Sequence, residues 1–163
     1  VDTEVDSRLD EIGTDAELAL RGKAAVAQGR LAYRQFLKAF SGARWDKLAA
    51  RGARVQRPLW ASTGTKNPAY SDVLYVDSLI GPHTVNTLPE ATLEAFADHG
   101  SVERTVDTAF AAADAVWQAL ADVGVDMDDV SAKLEREGVD SFIKSFDELI
   151  AALQAKSDEL RTS

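Results

Sequence analysis

A short polar segment that directly follows an apolar run carries the residues best suited to chemistry. Residues 57–61 read RPLWA, and the chain continues with Ser62, Thr63, Gly64, Thr65, Lys66 and Asn67. A strand that ends here would bring hydroxyls, backbone amides and an ammonium group into one small volume. Several donors together with a positive charge are what the binding of a phosphate requires. The segment therefore predicts a phosphate site, although an ordinary loop of the same composition is the alternative.

Lys66 has two possible roles at the end of a strand. A lysine that forms a Schiff base needs a pKa lowered by an apolar pocket or by a neighbouring cation. Lys66 instead lies between Thr65 and Asn67, and Pro68 follows. These polar surroundings favour a contact with phosphate.

Composition excludes several other classes of function. The chain has 163 residues and a formal charge of −9, from 18 basic and 27 acidic residues, which argues against nucleic acid and anionic membranes as partners. It has no cysteine, which excludes disulfides, thiolate catalysis and thiolate metal sites and is typical of a reducing, cytoplasmic location. Two histidines far from paired carboxylates indicate no metal site. No apolar run approaches the length of a membrane span of about 18 residues.

Apolar spacing predicts the elements that must position the polar segment. Helices are predicted over residues 1–12, 15–40, 45–50, 89–100, 101–124, 128–137 and from 140 onward, and strands over 55–61 and 73–80. The two strands are expected to be parallel neighbours. The last helix is expected to turn Phe142, Phe146 and Leu153 inward.

Three segments resemble the transaldolase family. Residues 57–89, RPLWASTGTKNPAYSDVLYVDSLIGPHTVNTLP, resemble the last two barrel strands of a transaldolase of the long bacterial type. Residues 138–149, GVDSFIKSFDEL, resemble the last helix of that family, and residues 1–9 resemble the segment after its sixth strand. The resemblance implies a helix-rich α/β fold, in which residues 1–163 form the C-terminal part of a parallel (β/α)8 TIM barrel with its terminal helices. A complete barrel needs about 250 residues, so the chain is expected to be part of a longer enzyme.

The resemblance also implies an activity. A transaldolase of the pentose phosphate pathway converts sedoheptulose 7-phosphate and glyceraldehyde 3-phosphate to erythrose 4-phosphate and fructose 6-phosphate. It transfers a dihydroxyacetone unit through a lysine Schiff base, without a cofactor or metal. The family's nucleophilic lysine, its acid and base residues and a second phosphate-binding arginine should lie upstream of Val1, so the chain alone is expected to be inactive.

The family's phosphate site takes a serine and a basic residue after the seventh strand, which match Ser62 and Lys66 here. Thr63, Thr65 and Asn67 are weaker candidates for the same site. Many transaldolases have arginine where this chain has Lys66, which leaves the register of the intervening residues open. The implied partners are sugar phosphates and the N-terminal part of the same enzyme.

Two alternatives stay open at this point. The chain would serve as a non-catalytic helical interaction domain if its two strands completed the sheet of a partner. It would also fit a transaldolase module fused to a glucose-6-phosphate isomerase. If the chain is part of a barrel, its outer strand has lost its partner, and such an unpaired edge is a template for association. The chain is therefore expected with its N-terminal part, as an oligomer or as a swapped dimer.

Overall fold

The computed structural model describes residues 1–162, and the chain divides into two compact units. The first unit, residues 2–125, contains the helices α1 (Asp2–Ile12), α2 (Asp15–Leu18), α3 (Ala24–Ala39), α4 (Gly42–Ala49), α5 (Leu74–Ser78), α6 (Glu90–His99) and α7 (Phe110–Asp122), with the strands β1 (Leu59–Ala61) and β2 (Val85–Thr87). The second unit contains one long helix, α8 (Met127–Thr162).

β1 and β2 form a parallel pair in which Trp60 lies opposite Asn86. The strand predicted over 55–61 is confirmed in part, since β1 covers only Leu59–Ala61, but its parallel neighbour is not the segment that the sequence predicted. The prediction of a strand over 73–80 is wrong, because this segment contains α5 and its buried residues Val73, Val76 and Leu79 recur at helical spacing. A short apolar run does not distinguish a strand from a buried helix.

Several predicted boundaries also change. The helix predicted over 15–40 is interrupted between α2 and α3, and the two helices predicted after residue 128 are one continuous α8. The helix predicted from Ser101 begins at Phe110, because the amides of Thr105 and Val106 donate to the carbonyl of Ile80 instead of forming a helix. Helices predicted over 1–12, 45–50 and 89–100 are confirmed as α1, α4 and α6, with shifts of one to three residues.

The core of the first unit lies between the helices and one face of β1. Tyr33, Leu79 and Val106 are buried together, and the partly buried side chains around them are Val26, Phe36, Trp60 and Phe110. Trp60 Nε1 donates to the carbonyl of Leu79 over 3.0 Å, so this side of β1 faces the helices. Side chains alternate along a strand, and Leu59 on the opposite face is 53% exposed.

The α8 apolar face consists of large hydrophobic side chains that remain exposed: Val139, Phe142, Ile143, Phe146, Leu149, Ile150, Leu153 and Leu160. Phe142 is 81% exposed, so the prediction that this face turns inward is wrong for the chain by itself. Within residues 1–162, no helix combines the length and the apolar composition needed to cross a membrane.

Candidate phosphate-binding site

The segment between β1 and α5, residues 62–73, is called the β1–α5 loop. It begins at the carboxyl end of β1 with Ser62, whose side chain is exposed and whose φ is +56°. A residue other than glycine rarely adopts a positive φ, and such strained positions are common at functional sites. The carboxyl ends of parallel strands lie at the same edge, where α/β barrels bind their ligands. Ser62 is therefore the first residue at the edge that such ligands approach.

Thr63 turns away from this edge into the protein. Thr63 is 4% exposed, and its Oγ1 donates to Oδ1 of Asn86 over 2.8 Å. The bond joins the loop after β1 to the neighbouring strand β2. Sequence reasoning missed Asn86, because its segment lies outside the strands predicted from the sequence.

Lys66 is exposed, and a tight turn follows it directly. Asn67 Oδ1 accepts a hydrogen bond from the amide of Ala69 at 2.9 Å, and the Asn67 carbonyl accepts one from the amide of Tyr70 at 3.1 Å. The Asn67 side chain thus shapes the turn that holds Lys66. Thr65 Oγ1 is buried and has no hydrogen-bond partner among residues 1–162.

Gly64 brings the loop against the first turn of α6. A Cβ atom at this position would lie 3.2 Å from Pro89 Cγ and 3.3 Å from Thr92 Oγ1. The first amides of a helix have no partner inside the helix, and the helix dipole makes this end attractive to anions. The sequence predicted that a helix begins at Pro89, but not that it begins beside Gly64.

Two buried carboxylates lie behind the β1–α5 loop, and each of their oxygens accepts a hydrogen bond. Asp6 accepts from Tyr70 Oη at 2.6 Å and Asp2 accepts from Tyr75 Oη at 2.7 Å. Burial, followed by the bond to Asp6, raises the pKa of Tyr70 to about 12, and burial likewise raises the pKa of Tyr75. Both phenols therefore remain donors at neutral pH. Within the described residues, no group of three or more His, Cys, Asp and Glu side chains is arranged to hold a metal ion.

The far end of the loop is tied to α6 by an exposed histidine. His99 Nε2 lies 2.8 Å from Oδ1 of Asp72, and His99 Nδ1 lies 3.1 Å from Oδ2 of Asp98. The hydrogen bond to Asp72, followed by that to Asp98, raises the pKa of His99 above its ordinary value. The same bond from His99 lowers the pKa of Asp72.

The two parallel strands, with helices packed on one face and a polar loop at their carboxyl edge, define an α/β protein. Residues 5–153 match the family model for "Transaldolase/Fructose-6-phosphate aldolase", and the chain belongs to this family. The resemblance found in the sequence is thereby confirmed.

Curated relatives named transaldolase cover nearly the whole chain. The protein of Mycolicibacterium smegmatis is 55% identical over 159 residues, which are 97% of this chain and 43% of the relative. That of Thermobifida fusca is 56% identical over 151 residues, or 92% of this chain and 41% of the relative. That of Frankia alni is 54% identical over 154 residues, or 94% and 42%. The chain thus spans less than half the length of these relatives.

Proposed function

We propose that residues 1–163 are the C-terminal part of a transaldolase and contribute the last two strands of its parallel (β/α)8 barrel. In this arrangement α1–α4 follow the sixth strand, β1 is the seventh strand, β2 is the eighth and the later helices close the domain. Family membership and the parallel pairing of β1 with β2 support the proposal. The eighth strand is assigned to Val85–Thr87 in place of the segment 73–80 that the sequence suggested.

The complete enzyme would transfer a dihydroxyacetone unit from sedoheptulose 7-phosphate to glyceraldehyde 3-phosphate, in the pentose phosphate pathway of the cytoplasm. The Schiff-base lysine would lie in the preceding part of the enzyme. This chain would then supply binding and orientation of the substrate rather than the nucleophile. No cofactor or metal enters the proposed reaction.

The β1–α5 loop would bind the substrate phosphate. One observation carries this proposal: exposed Ser62 and Lys66 stand at the carboxyl end of β1, in a loop that Gly64 holds against the first turn of α6. Loops after the last two barrel strands, together with a helix N-terminus, commonly form the phosphate site of such barrels. We assign side-chain contacts to Ser62 and Lys66. Thr63 and Asn67 would shape the loop through their side-chain hydrogen bonds, and Thr65 would offer its backbone amide.

The preceding part of the enzyme would be the principal partner of this chain. Two hydrophobic surfaces are available to it: the face of β1 that exposes Leu59, and the α8 apolar face. A closed barrel removes both edges of such a two-stranded sheet. The proposal therefore accounts for the exposure of Leu59, which a closed barrel would bury in its interior.

A chimera tests the proposed function. The part of the M. smegmatis transaldolase outside the match is joined ahead of residue 1, since the matched parts are 55% identical. This chimera should convert fructose 6-phosphate and erythrose 4-phosphate, and borohydride should trap a substrate adduct on a lysine of the added part. The chain alone should show neither turnover nor an adduct.

Two results would contradict the proposal. A folded chimera without activity would refute the assignment of this chain to a transaldolase enzyme. An adduct on Lys66 would make that residue the nucleophile instead of a phosphate ligand.

A further inference from the structure

One buried carboxylate joins the β1–α5 loop to two other segments of the first unit. Asp6 on α1 is 6% exposed. Its Oδ1 accepts from the amide of Gly22 at 2.9 Å, and its Oδ2 accepts from Tyr70 Oη at 2.6 Å. Buried carboxylates require such partners, since an unpaired one is costly. Asp6 therefore links α1, the turn before α3 and the loop through a single side chain.

The ring of Tyr70 is held as closely as its hydroxyl. Gly22 has a φ of +69°, and a Cβ atom there would lie 2.8 Å from Tyr70 Cζ. Glycine is needed both for this backbone conformation and for the close approach of the ring. Tyr70 is thus located by packing on Gly22 and by the bond to Asp6 together.

Tyr70 is connected to Lys66 by a turn of four residues. The amide of Tyr70 donates to the Asn67 carbonyl at 3.1 Å, and the amide of Ala69 donates to Asn67 Oδ1 at 2.9 Å. Pro68, which lies between Asn67 and Ala69, restricts the backbone of the turn. Because Asn67 directly follows Lys66, the position of the turn determines the position of the Lys66 backbone.

We propose that Tyr70 is the positioning residue of the phosphate-binding loop: its bond to Asp6 and its packing on Gly22 hold the turn that presents Lys66. This inference rests on the phosphate role proposed above for Lys66. This arrangement would favour binding of the phosphate group of a sugar phosphate. A flexible lysine binds an anion more tightly when its backbone is held in place beforehand.

Tyr75 provides a matched control. Its hydroxyl donates to Oδ2 of buried Asp2 at 2.7 Å, and Oδ1 of Asp2 accepts from the amide of Ala25 at 2.7 Å. The chemistry is the same, but Tyr75 belongs to α5 and not to the turn after Lys66. Tyr70→Phe and Tyr75→Phe each remove a phenolic hydroxyl that donates to a buried aspartate of α1.

The first test measures amide hydrogen exchange of Ala69 and Tyr70 in the chain by NMR. Tyr70→Phe should speed exchange at position 69 and position 70 by about tenfold or more, the effect of one lost hydrogen bond to a charged group. Tyr75→Phe should leave the exchange of both amides unchanged. Equal effects of the two variants, or no effect of Tyr70→Phe, would overturn the positioning role.

The second test measures kinetics in the chimera. Tyr70→Phe should raise KM for fructose 6-phosphate by about fivefold, with kcat and the activity on unphosphorylated fructose little changed. Tyr75→Phe should change none of these quantities. If Tyr70→Phe speeds amide exchange but affects both sugars equally, the positioning of the loop stands and the phosphate function of the loop is refuted. If it leaves KM unchanged while Lys66→Ala raises it, the phosphate function stands and the positioning role is refuted.

Discussion

Thr63 Oγ1 donates a hydrogen bond to Asn86 Oδ1 over 2.8 Å, so a residue of the β1–α5 loop is bonded to the neighbouring strand. The two residues lie 23 positions apart in the chain. Thr65, two residues further on, has a buried hydroxyl without a partner in the part of the chain that the structure describes. The hydroxyl of Thr63 therefore stabilises the loop by a hydrogen bond, whereas the hydroxyl of Thr65 does not.

Replacing each threonine by valine should reveal this difference. Thr63→Val should lower the free energy of unfolding by about 1 kcal/mol, because Asn86 loses its partner. Thr65→Val should leave stability unchanged or raise it by up to about 1 kcal/mol, because it removes a buried hydroxyl that forms no bond. Urea unfolding of the chain measures both changes, and equal losses would contradict the contrast.

Lys66→Ala in the chimera should weaken the use of phosphorylated sugars. A charge-assisted contact with an anion contributes about 1.5–3 kcal/mol, so kcat/KM should fall about tenfold to a hundredfold. Part of the loss should appear in kcat, because binding energy remote from the reacting bond also orients the carbonyl. Lys66→Arg should retain most activity, and Ser62→Ala should cost about fivefold.

Unphosphorylated fructose is the control for these three variants. Its turnover, however slow, should not change with Lys66→Ala, Lys66→Arg or Ser62→Ala. Equal losses with both sugars would assign Lys66 to the structure or to the chemistry and would contradict the phosphate role.

The positive φ of Ser62 makes a separate prediction about stability. At φ +56° the Cβ atom lies too close to the following carbonyl oxygen, which costs roughly 1 kcal/mol relative to glycine. Ser62→Gly should therefore be more stable than Ser62→Ala by about 1 kcal/mol. Thermal or urea unfolding of the two variants measures the difference, and an equal stability would show that the position carries no strain.

His99 and Asp72 should make stability depend on pH. The folded state raises the pKa of His99 above its ordinary value of 6.5, so the stability gained is complete below that pH and is lost as pH rises through the folded pKa. The folded state lowers the pKa of Asp72 below 3.8, so its contribution is present above that pH and is lost as pH falls further. The pair of His99 and Asp72 therefore stabilises the fold most between pH 3.8 and pH 6.5.

His99→Gln isolates this effect. Its loss of stability relative to the native chain should be larger at pH 5.5 than at pH 8.5, measured by urea unfolding at both. Asp72→Asn should show the same trend, because it removes the main partner of His99. A loss that is equal at the two pH values would contradict the role of the protonated imidazole.

The α8 apolar face should govern association and not the stability of the chain. Phe142 and Phe146 are 81% and 62% exposed. The double change to serine should alter the free energy of unfolding by less than about 0.5 kcal/mol. It should reduce concentration-dependent self-association in light scattering, whereas Asp147→Ser should not. A chain that stays monomeric at all concentrations would count against the proposed half-barrel.

The sequence alone identified the family and the polar loop. The segment 57–89 carried the resemblance, and the order of hydroxyls, glycine and lysine after an apolar run located the candidate site without any coordinates. Helices α1, α4 and α6 were predicted from apolar spacing, and Pro89 lies at the predicted start of α6. These features depend on neighbours along the chain, so local patterns are sufficient to predict them.

Only the tertiary structure decided which segment pairs with β1 and which residues hold the loop. Val85–Thr87 is a strand because the amide of Val85 donates to the Pro58 carbonyl at 3.0 Å, and residues 74–78 are a helix because one face of that turn is buried. Asn86, Asp6 and Gly22 likewise acquire their roles from partners far away in the sequence. A strand and a buried carboxylate both need hydrogen-bond partners supplied from elsewhere in the fold, and a short stretch of sequence does not specify those partners.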